Sequence, residues 1–117
     1  MIRVIIERKL KNREHISKLI REIRIGAMAQ PGYISSETLV NTEDNSAITV
    51  ISTWANVESW KKWKASEERI AMDRQIEPLL ERPAIIRTFQ IISTEEMDFL
   101  EDPEGWTQQR ERQSLGG

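Results

Sequence analysis

The sequence predicts an α+β domain, a ferredoxin-like β-α-β-β-α-β sandwich, on three observations. The apolar period alternates between strand-like and helical in that order, a polar loop of hairpin length separates the middle two strands, and 117 residues leave room for one core. Ile2 to Arg8 (IRVIIER) is rich in β-branched residues and too short for a helix, so it reads as a strand apolar on both faces, either central or covered twice. From Arg13 the period changes: Ile16, Leu19, Ile20, Ile23 and Ala27 fall at i, i+3, i+4, i+7 and i+11, the stripe of an amphipathic helix. Asn12 is its expected N-cap, and Pro31, which restricts Gln30, ends it ahead of a turn at Gly32.

Tyr33 to Val40 (YISSETLV) alternates loosely as a second strand. Asn41 to Ser46 (NTEDNS) is the hairpin loop, and Ala47 to Trp54 (AITVISTW) is a strong third strand antiparallel to the second. Asn56 caps a second helix in which Val57, Trp60 and Trp63 share a face. Ser66-Glu67-Glu68 reads as a further cap with acids in the first turn, so this helical region breaks near Ala65 and continues through Ile70, Met72 and Asp73 to about Pro78. Ala84 to Ile92 is the last strand. Residues 1–92 thus form the domain and 93–117 an acidic, then polar extension, whose Met97, Phe99, Leu100 and Trp106 suggest that part of it packs on the body or on a second subunit.

Composition narrows the function. The 17 basic and 19 acidic residues nearly cancel, which argues against a nucleic-acid partner or an anionic membrane surface. Without cysteine there is no disulfide framework, thiolate metal site or thiol nucleophile, and the cytoplasm is the expected compartment. The opening residues reach charge too soon for a signal-peptide apolar segment, and no apolar run approaches the roughly 18 residues of a membrane span. His15 is the single histidine, beside Arg13 and Glu14; it makes neither a catalytic triad nor a two-histidine metal site, and no bound metal is expected.

Four tryptophans in so short a chain are unusual, and Trp54, Trp60 and Trp63 lie within ten positions. A strand ending in Trp54, an Asn cap, an acid, then Trp60 and Trp63 followed by Ser66, with PGYISSETL after the first helix, resembles the antibiotic biosynthesis monooxygenase family over about residues 1–92. The resemblance implies a dimeric α/β barrel, in which two ferredoxin-like units pair their sheets and each keeps one pocket between sheet and helices. It also implies cofactor-independent oxygenation of a small aromatic or quinol substrate, with no metal or flavin. The haem-cleaving branch carries an Asn on the first strand, a Trp on the second helix and a His as iron ligand. Here Trp63 is present, but the strand position falls on or near Glu7 and Arg8, and Asp73 stands in place of the His, a poor proximal ligand.

On physical grounds, an oxygenase without cofactor needs an apolar cavity that holds a flat, electron-rich substrate and desolvates its anion. Trp54, Trp63 and Met72 are expected to line it, and Tyr33 could hydrogen-bond a substrate oxygen. The alternative for the tryptophans, above all Trp60, is as core or interface anchors. Asp73 is the expected general base if there is one; its alternative is an ion pair with Arg69. Glu7 and Arg87 are weaker candidates that become structural if they pair with each other. Apolar residues on both strand faces, such as Val4 with Ile5 and Ile85 with Ile86, cannot all be covered by helices on one side, so a homodimer is expected. The rival functions are a non-catalytic dimer that binds a small hydrophobic ligand, and a purely structural dimer with a filled interior.

Overall fold

The structure is a computed structural model that describes residues 1–102 and 104. In chain order it contains β1 (Ile2–Lys9), α1 (Ile16–Met28), β2 (Tyr33–Val40), β3 (Ala47–Trp54), α2 (Val57–Lys64), α3 (Glu67–Ile76) and β4 (Ile85–Gln90), with short 3-10 segments at Glu77–Leu79 and Thr94–Leu100. The strands form one antiparallel sheet in the order β2-β3-β1-β4. The β-α-β-β-α-β prediction holds, with the second helix split in two at Ala65.

β1 and β3 are the inner strands, and β1, flanked by β3 and β4, is apolar on one face only, not on both as expected, because its other face is mostly charged. Ile2, Val4, Ile6 and Arg8 alternate onto the buried face, where Ile2, Val4 and Ile6 join Ala27, Trp54, Trp60 and Trp63 in the main core cluster. Arg3, Ile5, Glu7 and Lys9 therefore point to the other face. A second cluster of Leu19, Ile23 and Ile76 binds α1 to α3.

The helices start where local chemistry satisfies their first amides, with one departure from expectation. Asn56 Oδ1 accepts from the Ser59 amide at 2.9 Å, and Ser66 Oγ accepts from the Arg69 amide at 3.2 Å, as the sequence suggested. Asn12 does not cap α1. Its Oδ1 accepts from the Glu14 amide at 2.9 Å, which closes a turn before the helix, and exposed His15 takes the cap position at φ 58° with no side-chain hydrogen bond. The Asx turn competes with the helix for the same residues and delays its start to Ile16. At the other end Gly32 adopts φ +88°, and a Cβ there would lie 2.4 Å from Ser59 Oγ, so the turn into β2 requires glycine.

The last strand is shorter than predicted because its pairing with β1 ends at Ile2↔Gln90. Ser93 and Glu96 form a capping box at the start of the Thr94–Leu100 segment, on which Met97 and Leu100 are exposed. Trp106 lies outside the described residues. No helix among the described residues is long and apolar enough to cross a membrane.

The sheet face away from the helices carries Ile5 opposite Ile51, with Leu39, Ile85 and Phe89 interspersed among Arg3, Glu7, Glu37 and Arg87. Leu39, Ile85 and Phe89 are exposed. Arg87 and Glu7 pair across this face at 2.7 Å, the structural outcome expected if they met.

Candidate functional site

The break between α2 and α3 builds the site. After Trp63 the chain stops being helical, Ser66 Oγ donates back to the Trp63 carbonyl at 2.7 Å, and α3 restarts. Arg69 then lies with its guanidinium carbon 5.5 Å from the centre of the Trp60 ring and 5.9 Å from that of Trp63. Trp63 approaches α1 so closely that a Cβ on Gly26 would sit 2.5 Å from its Cη2. Trp54, from the end of β3, packs edge-on against Tyr33 at 5.6 Å and tilted against Trp60 at 5.9 Å. Three aromatic rings from two elements thus close one end of the space between sheet and helices.

That space is an inner cavity of about 40 Å³. Its walls include Ile6 and Arg8 of β1, Tyr33, Ser36 and Thr38 of β2, Val50, Ser52 and Trp54 of β3, Ile20, Ile23 and Arg24 of α1, and Trp60, Trp63 and Arg69. It adjoins a wider, open cleft of about 390 Å³ across the shared side chains of Ile20, Arg24 and Thr38. The cleft is bounded by Leu10, Ile16 and Ile48, with Arg13 and Arg21 beside Arg24.

Of the residues singled out from sequence, Trp54, Trp63 and Tyr33 line the inner cavity together, with Trp60 as a further wall. Tyr33 already shares its hydroxyl with Ser36 Oγ at 2.7 Å. Met72 is not in the wall; it packs in the seam between the two core clusters. Asp73 is not in the wall either. Its carboxylate accepts from Arg69 Nε at 2.9 Å, the ion pair weighed against a catalytic role, although here the arginine is only 2 % exposed and the aspartate 30 %.

Charge is the feature that reading the sequence overlooked. Arg8 is 4 % exposed, and burial, with the nearby Arg69 cation adding to it and Asp73 opposing, pulls its pKa down to about 10. It remains a cation at neutral pH. Arg8 Nε and Trp63 Nε1 are buried donors with no hydrogen-bond partner among the described residues. A signal for both arginines exists in the sequence: Arg8 continues the even-numbered buried face of Ile2, Val4 and Ile6, and Arg69 stands seven residues before Ile76 on one helical stripe. Among the described residues no cluster of three or more His, Cys, Asp or Glu could hold a metal ion.

Comparison with known proteins agrees with this architecture. The family model for antibiotic biosynthesis monooxygenases matches residues 1–74. No curated protein matches the sequence. Among solved structures, an antibiotic biosynthesis monooxygenase superposes with a TM-score of 0.70 at 18% identity, covering 80% of this chain and 100% of its own. SnoaB, a cofactor-independent oxygenase from Streptomyces nogalater, superposes with a TM-score of 0.72 at 11% identity, covering 80% of this chain and 94% of its own. PA3566 from Pseudomonas aeruginosa does so at 0.62 and 18% identity, covering 79% and 94%. At these identities the likeness to the solved structures is one of fold.

Proposed function

Because the chain belongs to the antibiotic biosynthesis monooxygenase family, we propose that it is a cofactor-independent monooxygenase-like protein acting on a small aromatic or quinol substrate. The observation that carries this reading is the aromatic-walled cavity closed by Trp54, Trp60 and Trp63, with the indole N–H of Trp63 unpartnered among the described residues. An electron-rich substrate bound as its anion gives one electron to dioxygen. The substrate radical and superoxide combine at the reacting carbon, and loss of water from the hydroperoxide leaves a carbonyl. A methylene thereby becomes C=O: one oxygen atom enters the product, the other leaves as water, and the substrate supplies all the electrons. The protein contributes a dry pocket and donors that favour the anion.

Size decides how a substrate is placed. An apolar cavity that takes benzene measures about 150 Å³, so the ring belongs in the outer cleft and only a small polar group reaches the inner cavity of about 40 Å³. Trp54, Trp63 and Tyr33 are then contacts for that polar end, and Met72 packs against the core cluster that holds Trp63. Asp73 as base has to give up Arg69 first, so its primary role in this reading is to position Arg69.

One observation favours the second reading, a non-catalytic binding dimer: among the described residues no carboxylate and no histidine stands in either wall to take a proton. Oxygen uptake by the purified protein with anthrones and hydroquinones separates the two. Turnover above the spontaneous rate, reduced at least tenfold in Trp63→Ala, is the expected result. Saturable quenching of tryptophan fluorescence without turnover would replace the oxygenase with the binding module.

The same reading includes a homodimer formed through the far face of the sheet, where Ile5 faces Ile51 and where Ile85 and Phe89 flank Arg87, the partner of Glu7. Light scattering at micromolar concentration should give twice the chain mass, and Phe89→Glu should give the chain mass. A wild-type monomer would refute it.

A further inference from the structure

The walls of the two adjoining spaces carry charge of one sign only. Arg8, Arg24 and Arg69 border the inner cavity, and Arg13, Arg21 and Arg24 border the outer cleft, with no aspartate or glutamate among the described residues of either wall. This occurs in a chain of formal net charge −2, so the basic lining reflects placement and not composition. Asp73, the acid that the inner cations feel, is taken by Arg69. Arg8 is left as a buried cation whose Nε has no partner among the described residues, beside a cavity also lined by Trp63, whose Nε1 likewise has none. A buried guanidinium with an unsatisfied N–H opposes folding, and its planar fork matches the two oxygens of a carboxylate.

We propose that the inner cavity is a carboxylate site, and that the ligand is a small aromatic acid whose ionised carboxylate is held by Arg8 and Trp63 while its ring stays in the outer cleft. This deepens the reading given above and rests on its placement of an aromatic ligand in these spaces. The inner cavity has the size for such a group, since a water needs about 10–15 Å³ by the same measure and the cavity offers about 40 Å³. The arginines of the outer cleft form an attractive path inward for an anion and lower the on-rate of a cation. Arg8 is a binding residue in this scheme; Arg69, held by Asp73 and stacked on Trp60 and Trp63, is a positioning residue for the indole donor.

The test is calorimetric titration of the wild-type chain with 1-hydroxy-2-naphthoate and with the corresponding neutral amide, repeated with Arg8→Met and, should that variant not fold, Arg8→Gln. The acid should bind at least tenfold more tightly than the amide, and the preference should vanish in the Arg8 variant. Arg8→Met without ligand should melt no lower than wild type, whereas a purely structural arginine would lower the melting temperature when removed. Equal affinity for acid and amide, a preference that survives loss of Arg8, or no saturable binding of the acid overturns the proposal. Acid preference without oxygen uptake would leave the carboxylate site standing and remove the oxygenase. Turnover of a neutral quinol without acid preference would do the reverse.

Discussion

Gly26→Ala is expected to destabilise the fold by about 1–2 kcal/mol, although the same change in an open helix stabilises it by about 1 kcal/mol. Gly26 lies inside α1, where alanine has the better helix propensity. The added Cβ, however, would meet Trp63 Cη2 at 2.5 Å, Trp63 Cζ2 at 3.2 Å and Glu68 Oε1 at 3.0 Å. The glutamate can swing away. Trp63 cannot, because it is 1 % exposed and held between the core cluster and the Arg69 guanidinium. Urea unfolding checks the sign, and a second background isolates the cause. In Trp63→Phe the six-membered indole edge is gone, so Gly26→Ala should there become neutral or stabilising. Destabilisation of equal size in both backgrounds would mean that the contact is not what makes glycine necessary.

Asp73→Asn is expected to cost about 2–3 kcal/mol, below the 3–5 kcal/mol of a fully buried broken pair. The change removes the one carboxylate that both Arg69 and Arg8 feel, and both guanidinium groups lie in the interior. The lower figure follows from the aspartate's own exposure of 30 %, which lets water reach the site. Adding Arg8→Met to Asp73→Asn should recover about 1 kcal/mol or more, because one of the two uncompensated charges is then gone. Chemical denaturation of the two singles and the double measures this coupling. The pair of variants also settles the role of Asp73. A general base lost to asparagine abolishes turnover whether or not stability changes, while a positioning residue shifts stability and ligand affinity together.

Much of this molecule is legible in its sequence because its signals are local. The β-branched run of β1, the apolar stripe of α1, the Asn56 and Ser66 caps and the break at Ala65 each depend on residues within one or two turns of chain. The exception is instructive: Asn12 has the chemistry of an N-cap, but a turn that it closes with Glu14 uses the same side chain and moves the helix start to Ile16. Two equally local solutions were available, and the chain's route from β1 selected between them. At the site, the tryptophans announced themselves by number and spacing. Met72 and Asp73 shared their helix but not the cavity, since one turn of α3 separates a side chain in the wall, Arg69, from side chains behind it.

Charge shows the division most clearly. Near-equal numbers of acids and bases were a sound guide to the whole surface and a poor one to the interior, because a count carries no positions. The sequence by itself determined the order of elements, the split second helix and an aromatic wall from Trp54 to Trp63. Only the tertiary structure decided that five arginines from β1, α1, α3 and the loop before α1 converge on two adjoining spaces whose walls hold no acid among the described residues. Propensity and periodicity act between neighbours in the chain. The field in a cavity is a sum over residues far apart in sequence, and it exists only once the sheet and helices have closed around it.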